Sequence, residues 1–344
     1  MNRIGGVDGM RFFAIIAVIM LHTTPFKYSS ETAQIYPFLN LLINQTSKFA
    51  VPFFFIASGY FWGRKLESGH DVAVISAGMI KRLVIIFLGW SLIYIMPYNL
   101  TSVITYGILG PIKISYWNLE RLAASPLTPL SQGTKIHLWF LIALVNSVAI
   151  CWFFVKKDLK KHLAPCGLTL YLIGLLAKSY MGTPLGFSIN FDTRNGPFFG
   201  TLFFITGYYL RNKRVSLRVH LFQGIALALG GLILQALELS FLNRYFDTPM
   251  DQDYVIGTYF LGLGAFLISL STLRFLAGKW IAFFGRHTLG VYCVHYIYVD
   301  LLEPVDKIYY GPSWDIWYVV LVTALSLSTA LIAAHSPLLR KYFV

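Results

Sequence analysis

Apolar runs of near 20 residues recur along the whole chain, and they constrain its fold more than any other feature. A helix of that length crosses a hydrocarbon core of about 30 Å. The composition agrees, because 56% of the 344 residues are hydrophobic and 12% are charged, against about 25% charged in an average soluble protein. The sequence therefore predicts an all-α, polytopic membrane protein that forms a single domain over residues 1–344.

Polar residues between the apolar runs divide the chain into about ten predicted transmembrane helices. The first run has no small-residue cleavage site after it, so we interpret it as a retained helix, not a signal peptide. The segment of about 98–135 is long enough to be a lid or a binding loop. The predicted spans are 9–27, 44–63, 80–97, 136–155, 166–181, 196–211, 221–242, 254–273, 281–302 and 316–337.

The charged residues divide unequally between the two sides of this arrangement. With the N-terminus inside, the inner segments hold 19 of the 28 lysines and arginines, whereas the outer segments hold 11 of the 15 acidic residues. Lysine and arginine collect on the cytoplasmic side of membrane proteins. We therefore expect both termini in the cytoplasm, and we attribute the net charge of +13 to topology and not to nucleic-acid binding. The inner basic residues are Arg3, Arg11, Arg64, Lys65, Lys81, Arg82, Lys156, Lys157, Lys160, Lys161, Arg211, Lys213, Arg214, Arg218, Arg274, Lys279, Arg286, Arg340 and Lys341.

Two kinds of chemistry lack their sequence signatures. The three cysteines lie in or beside apolar runs and form no CxxC or Cys/His spacing. The sequence thus indicates neither a disulfide framework nor a zinc site, and we expect no metal. No GxSxG motif occurs, so a serine hydrolase lacks its nucleophile elbow.

The first apolar run, MRFFAIIAVIMLH (10–22), has ionisable residues at its two ends, Arg11 and His22. Eleven residues make about three helical turns, so both side chains fall on one face, about 16 Å apart along the axis. Ionisable residues within spans usually face the bundle interior or a wet cavity. The alternative is a buried structural histidine together with an arginine that only sets topology.

Two further histidines fall in the outer half of the predicted membrane. His137 begins the fourth span in HLWFL, and His295 lies in the ninth span in GRHTLGVYCVH. The inner ends of spans 2, 3 and 9 are cationic, so a long anionic ligand such as an acyl thioester of coenzyme A would fit between them and the histidines. The residues at these inner ends are Arg64, Lys65, Lys81, Arg82, Arg286 and His287.

A serine and a glycine, Ser58 and Gly59, occupy the inner part of the second span in VPFFFIASGYFWGRKL. Glycine permits the close approach of a ligand or of another backbone. The alternative interpretation is ordinary helix packing through small residues.

Four stretches, in order along the chain, resemble those of the integral-membrane acyltransferase-3 family. The resemblance implies a ten-helix protein of the bacterial inner membrane that moves an acyl group, commonly acetyl, from cytoplasmic acyl-CoA to a hydroxyl. The implied acceptor is a surface polysaccharide or its lipid-linked precursor. The similar stretches are VDGMRFFAIIAVIMLH (7–22), FFFIASGYFWGRKL (53–66), IHLWFL (136–141) and FFGRHTLGVYCVH (283–295).

The resemblance also implies roles for individual residues. His22 takes the place of the family's catalytic histidine and Arg11 that of its essential arginine, while His137 and His295 are further catalytic candidates. Arg82 matches the second arginine of an Arg-x-x-Arg pair, but Met79 stands where the first is expected. The residues expected to bind acetyl-CoA, the implied acyl donor, are Arg11, Ser58, Arg64, Lys81, Arg82 and Arg286.

The expected mechanism uses neutral His22 as a general base, because an imidazole with an ordinary pKa near 6.5 suits proton transfer at neutral pH. His137, Trp139 and Tyr292 are candidate donors to the developing oxyanion. An acyl-histidine intermediate is a second route. A secondary transporter or flippase that uses intramembrane histidine and arginine is the alternative from another class. We find no two-fold repeat in the hydropathy pattern to favour it.

Overall fold

The computed structural model describes residues 4–27, 35–98, 101–124, 127–211, 217–271, 273, 275–309, 311–337 and 339. Several residues used in the topology count (Arg3, Lys213, Arg214, Arg274, Arg340 and Lys341) lie outside these ranges. Within them the regular structure is helical. The α-helices are α1 (Gly5–Thr23), α2 (Ile35–Ser47), α3 (Ala50–Glu67), α4 (Val72–Ile93), α5 (Thr101–Tyr106), α6 (Gly110–Ala124), α7 (Leu127–Gln132), α8 (Trp139–Lys156), α9 (Leu163–Leu176), α10 (Pro197–Leu210), α11 (Leu217–Phe246), α12 (Ile256–Ser269), α13 (Lys279–Gly285), α14 (Thr288–Ile308) and α15 (Pro312–His335).

Five of the described helical segments are long and apolar enough to cross a membrane, and two shorter helices, α10 and α12, are also apolar. The all-α class predicted from the sequence is therefore confirmed for the described residues, and the long apolar helices support a polytopic membrane protein. That the chain crosses the membrane ten times and that both termini lie in the cytoplasm stay predictions. The five segments are Gly5–Thr23, Val72–Ile93, Ile136–Lys156, His220–Phe246 and Pro312–His335.

Three predicted stretches differ from the observed helices. The predicted span 44–63 is broken at Lys48 and Phe49, between the end of α2 and the start of α3. The predicted span 281–302 is broken into α13 and α14, because the chain leaves the helix at Arg286 and His287. The predicted loop of about 98–135 contains three helices, α5, α6 and α7, and a 3₁₀ turn. The interruption places the polar pair Arg286 and His287 at a helix junction instead of on a continuous apolar surface.

Helix α1 is central to the bundle. It contacts α2, α3, α12, α13, α14 and α15. Its buried residues include Val7, Ala14, Ile15 and Ile19, which lie on more than one side of the helix. A helix that buries apolar residues on several sides belongs in the core of a helical bundle. The Arg11-to-His22 face of α1 therefore lies among other helices.

Close crossing of α3 and α10 settles the position of the Ser58–Gly59 pair. A Cβ added to Gly59 would lie 1.9 Å from the carbonyl oxygen of Phe204, and a Cβ on Gly207 would lie 1.9 Å from that of Ile56. Both glycines are therefore needed for backbone contact between the two helices. Gly59 packs against α10, and Ser58 faces a cavity on another side of α3.

Candidate active site

Three imidazoles, His22, His137 and His295, meet in one place and form the histidine cluster. His22 lies in the last turn of α1, His137 in the 3₁₀ turn before α8, and His295 within α14. The ring centroid of His22 is 5.3 Å from that of His295 and 6.4 Å from that of His137. The centroids of His137 and His295 are 5.1 Å apart. The helix packing thus brings together all three catalytic candidates predicted from the sequence.

Hydrogen bonds hold the backbone of His137 and the ring of His295. Tyr292 donates its hydroxyl proton to the carbonyl oxygen of His137. The Nδ1 atom of His295 lies 2.7 Å from the carbonyl oxygen of Tyr292. Because a carbonyl oxygen only accepts, this geometry assigns the proton to Nδ1 and the lone pair to Nε2 in the neutral ring. Neither ring nitrogen of His137 has a hydrogen-bond partner among the described residues.

A cavity of about 620 Å³, the large cavity, connects the histidine cluster with a group of basic residues. His22, His137 and Arg11 all line it, so it follows one face of α1 for about 16 Å. The basic group forms the cationic mouth and consists of Arg11, Lys65, Arg82 and Arg286. The single-face arrangement of Arg11 and His22, expected from their spacing, is what opens this continuous space.

The buried carboxylate of Asp8 organises the cationic mouth. Its Oδ1 accepts a hydrogen bond of 2.8 Å from Nη1 of Arg11, and its Oδ2 lies 3.8 Å from Nε of Arg286. Asp8 is 4% exposed. Sequence reasoning did not select Asp8 as a site residue, although an acidic residue one helical turn before Arg11 is a signal for such a pair.

The residues predicted to bind acetyl-CoA divide into two groups. Arg11, Ser58, Arg82 and Arg286 line the large cavity. Arg64 and Lys81 do not: the guanidinium of Arg64 lies 5.8 Å from the ring centroid of Tyr60, and Lys81 is exposed. Neighbouring residues on a helix point about 100° apart, so Lys65 lines the cavity next to Arg64 and Arg82 does so next to Lys81.

A second space of about 270 Å³, the small cavity, adjoins the large one. His22 and Trp139 line both, as do Val18 and Val51. His22 therefore stands at the boundary between the two cavities. No sequence motif marks the polar residues of the small cavity, because they come from separate helices and connections. They are Asn44, Lys48, Arg194, Asp251, Asp253, Tyr254 and Tyr296.

Four charged side chains, Lys178, Asp192, Arg194 and Asp253, form a four-charge network beside the small cavity. The ammonium of Lys178 lies 2.8 Å from a carboxylate oxygen of Asp192 and 2.8 Å from one of Asp253. Arg194 lies 3.4 Å from Asp192 and 3.1 Å from Asp253. Burial alone would raise the pKa of Asp253, but the nearby Arg194 and Lys178 lower that pKa below its usual value.

The four-charge network also supports a wall that both cavities share. The guanidinium carbon of Arg194 lies 5.0 Å from the ring centroid of Trp139. On another side, Tyr296 stacks on His137 with centroids 4.9 Å apart and ring planes at 18°. Lys135 lies over Tyr296 and pairs with Asp300 at 2.5 Å. Aromatic side chains and ion pairs thus enclose the histidine cluster where the small cavity begins.

The geometry suits base catalysis between two bound ligands. An imidazole that faces two cavities can accept a proton from a ligand in one of them while a ligand in the other reacts. Among the described residues, no group of three or more His, Cys, Asp or Glu side chains is arranged to hold a metal ion.

Comparisons with known proteins give the family. A family model described as "Acyltransferase domain" matches residues 4–335. An amino-acid racemase of Enterococcus faecalis is 26% identical over 321 residues, which cover 89% of this chain and 42% of that protein. A serine/alanine racemase of Enterococcus gallinarum is 28% identical over 307 residues, which cover 84% of this chain and 40% of that protein. Another amino-acid racemase of Enterococcus faecalis is 29% identical over 221 residues, which cover 60% of this chain and 28% of that protein.

These relatives are much longer than the region they share with this chain. The chain spans less than half the length of each of the three relatives. No solved structure matches it. The family model, in contrast, includes the histidine cluster, the cationic mouth and the helices that carry them. The chain belongs to the acyltransferase-3 family.

Proposed function

We propose that this protein transfers an acetyl group from acetyl-CoA, bound from the cytoplasm of a bacterium, to a hydroxyl of a cell-surface carbohydrate. One observation carries the proposal: His22 lies where the large cavity and the small cavity meet. A transferase with two substrates needs a base that both of them reach. The carbohydrate acceptor and the inner-membrane location follow from the family resemblance.

The large cavity is the proposed donor site. Its volume of about 620 Å³ lies within the range of roughly 300–1,000 Å³ that small-molecule sites occupy. The coenzyme A phosphates bind at the cationic mouth, where arginine forms charge-assisted hydrogen bonds with phosphate oxygens. The pantetheine arm follows the Arg11-to-His22 face of α1. The thioester then lies beside His22.

The small cavity is the proposed acceptor site. Its volume of about 270 Å³ equals the liquid volume of about nine water molecules, which suits one sugar ring and not a chain of them. Trp139 and Tyr296 supply aromatic walls. Only the terminal or modified ring of a longer acceptor enters, and its hydroxyl faces His22.

The proposed reaction uses the imidazole of His22 as a proton carrier. Neutral His22 accepts the hydroxyl proton while the hydroxyl oxygen forms a bond to the thioester carbonyl carbon. The C–S bond then breaks, and the coenzyme A sulfur leaves with the proton from His22. His137 is the proposed donor to the oxyanion, because its ring faces the large cavity without a protein partner among the described residues. The Tyr292 hydroxyl already donates to the backbone of His137.

A variant of His22 tests this proposal directly. Single-turnover transfer from radiolabelled acetyl-CoA is measured in membranes that contain wild type, His22→Ala or the control His335→Ala. His335 is exposed at the far end of α15. We expect His22→Ala to lose transfer by about 100-fold or more and His335→Ala to keep it. Unchanged transfer in His22→Ala would contradict both the base and the acyl-histidine route.

The arrangement of two cavities around His22 also suits the transport alternative, in which one ligand passes from one cavity to the other. The two functions differ in the fate of the thioester. Free coenzyme A release in proteoliposomes is measured together with uptake of candidate acceptors. Uptake without any release of coenzyme A would favour a transporter, whereas release that depends on the acceptor supports the transferase.

A further inference from the structure

Lys48 is a buried cation that the proposed chemistry does not use. It lies in the turn between α2 and α3 and is 7% exposed. Its ammonium donates a hydrogen bond to the carbonyl oxygen of Gln252 and lines the small cavity. A lysine ammonium carries three N–H donors, and the carbonyl uses one of them. The side chain therefore keeps donors for a ligand in that cavity.

The charges around Lys48 leave it without a counterion in contact. Among the described residues, no carboxylate oxygen lies within 4.0 Å of its ammonium, although Asp251 and Asp253 line the same cavity. Asp253 already pairs with Lys178 and Arg194. Asp251 is exposed to solvent.

A desolvated cation with a single neutral partner is costly, because burial removes the water that would stabilise its charge. An anionic ligand group would restore that stabilisation through charge-assisted hydrogen bonds. Asp253 and Asp251 attract the ammonium of Lys48 without contacting it, and Asp253 is already paired within the four-charge network. An anion in direct contact with the free donors of Lys48 would therefore come with the ligand.

We infer that the acceptor carries an anionic group, a carboxylate or a phosphate, which binds Lys48 and positions the reacting hydroxyl beside His22. The inference rests on the proposed function for the assignment of the small cavity to the acceptor. Two sources supply this chemistry: the carboxylate of a uronic acid residue in a polysaccharide, and the phosphate of a lipid-linked sugar precursor. Lys48 is then the residue that selects acidic over neutral acceptors.

The test measures binding of three soluble probes to the purified full chain in nanodiscs by isothermal titration calorimetry. D-glucuronate carries the carboxylate, and glucose 6-phosphate carries the phosphate. D-glucuronamide, the neutral amide of glucuronate, is the uncharged control. We expect wild type to bind at least one anion about tenfold or more tightly than the amide. Preference for glucuronate indicates the uronic acid, and preference for glucose 6-phosphate indicates the phosphorylated precursor.

Variants then assign the preference to Lys48. Lys48→Met is expected to weaken binding of the preferred anion about tenfold or more and to leave the amide unchanged, which also shows that the cavity is intact. Lys48→Arg keeps the charge and is expected to retain most of the affinity. The control, Lys157→Met, removes an exposed charge in the turn after α8 and is expected to behave as wild type.

Two results would overturn the inference. One is a wild type that binds neither anion more tightly than the amide, a measurement that needs no variant. The other is an affinity of Lys48→Met for the anion that equals the affinity of wild type. His22→Ala separates this question from the catalytic one: binding of the anion without transfer supports both proposals. Binding that depends on Lys48 while His22→Ala still transfers acetyl would contradict the base and leave the anion site standing.

Discussion

At the scale of single residues, neighbours decide what each ionisable side chain can do. Arg11 lies near the start of α1, where an arginine could extend into solvent. The buried carboxylate of Asp8 instead holds its guanidinium at the edge of the large cavity. Arg286 comes from the other end of the sequence and lies 3.8 Å from the same carboxylate. One buried acid therefore positions two of the four residues of the cationic mouth.

Removing the charge of Asp8 tests its positioning role. Asp8→Asn is expected to raise KM for acetyl-CoA about tenfold, because both arginines lose a charged partner, and to change kcat little. Initial rates at varied acetyl-CoA and fixed acceptor give both constants. Asp158→Asn is the control, since Asp158 is exposed and pairs with Lys160 at the surface. A fall in kcat with unchanged KM would contradict the assignment of this end to the donor.

A variant of Arg11 gives a second test of which cavity binds the donor and which binds the acceptor. Arg11→Ala is expected to raise KM for acetyl-CoA about 10- to 100-fold, because a phosphate loses charge-assisted hydrogen bonds. The same kinetic series measures KM for the acceptor, which should stay constant. If the acceptor constant rises and the donor constant does not, the two cavities have been assigned in the wrong order.

At the scale of elements, close helix crossings hold the site. A Cβ on Gly9 of α1 would lie 1.9 Å from the carbonyl oxygen of Leu276, and one on Gly285 of α13 would lie 1.7 Å from that of Asp8. The backbone of α1 therefore contacts α13 and the segment just before it, which contains Leu276, where the cationic mouth forms. This crossing brings the end of α13, and with it Arg286, to the start of α1, because no Cβ keeps the helices apart.

Alanine at this crossing is expected to destabilise the protein. Gly9→Ala and Gly285→Ala force the backbones apart, at a cost of about 1–3 kcal/mol in the free energy of unfolding. The matched control is Gly89→Ala in α4, where a Cβ meets nothing within 4 Å and alanine is the better helix former. Thermal unfolding in detergent measures all three. Equal melting temperatures for Gly9→Ala and Gly89→Ala would show that the crossing tolerates a methyl group.

At the scale of the whole molecule, ion pairs join connections that are distant in sequence. The four-charge network links residues that follow α9 and precede α10 with Asp253, which precedes α12. These connections form the walls of the small cavity. The small cavity, the proposed acceptor site, is thus a property of the assembled bundle, since no single helix supplies it.

The pH dependence of stability reports on this network. The pKa of Asp253 lies below its usual value in the folded protein because of Arg194 and Lys178, although burial opposes them. Its stabilisation is therefore present above about pH 3.9, the usual pKa, and is lost as pH falls through the lower folded-state pKa. Asp253→Asn is expected to melt below wild type at neutral pH, with the difference shrinking as the pH falls below the usual pKa of about 3.9. A difference that is constant with pH would contradict the ionic role.

The sequence by itself determined the class of the protein and the axis of its site. Apolar runs dictate helices in a membrane because the hydrocarbon core leaves no other partner for backbone groups. The eleven-residue spacing of Arg11 and His22 put both on one face of α1, which is a local consequence of helical pitch. The four motif stretches pointed to the family, and the match over residues 4–335 confirmed it.

Only the tertiary structure decided which charges reach the site and where the second cavity lies. Periodicity could not separate Lys65 from Arg64, or foresee the break at Arg286 and His287, because these depend on the rotation of α3 and on the crossing of α1 and α13. Lys48, Arg194 and Asp253 are far apart in sequence and carry no motif. They meet because helix packing closes three separate connections around His22, and contacts of that kind have no local signature.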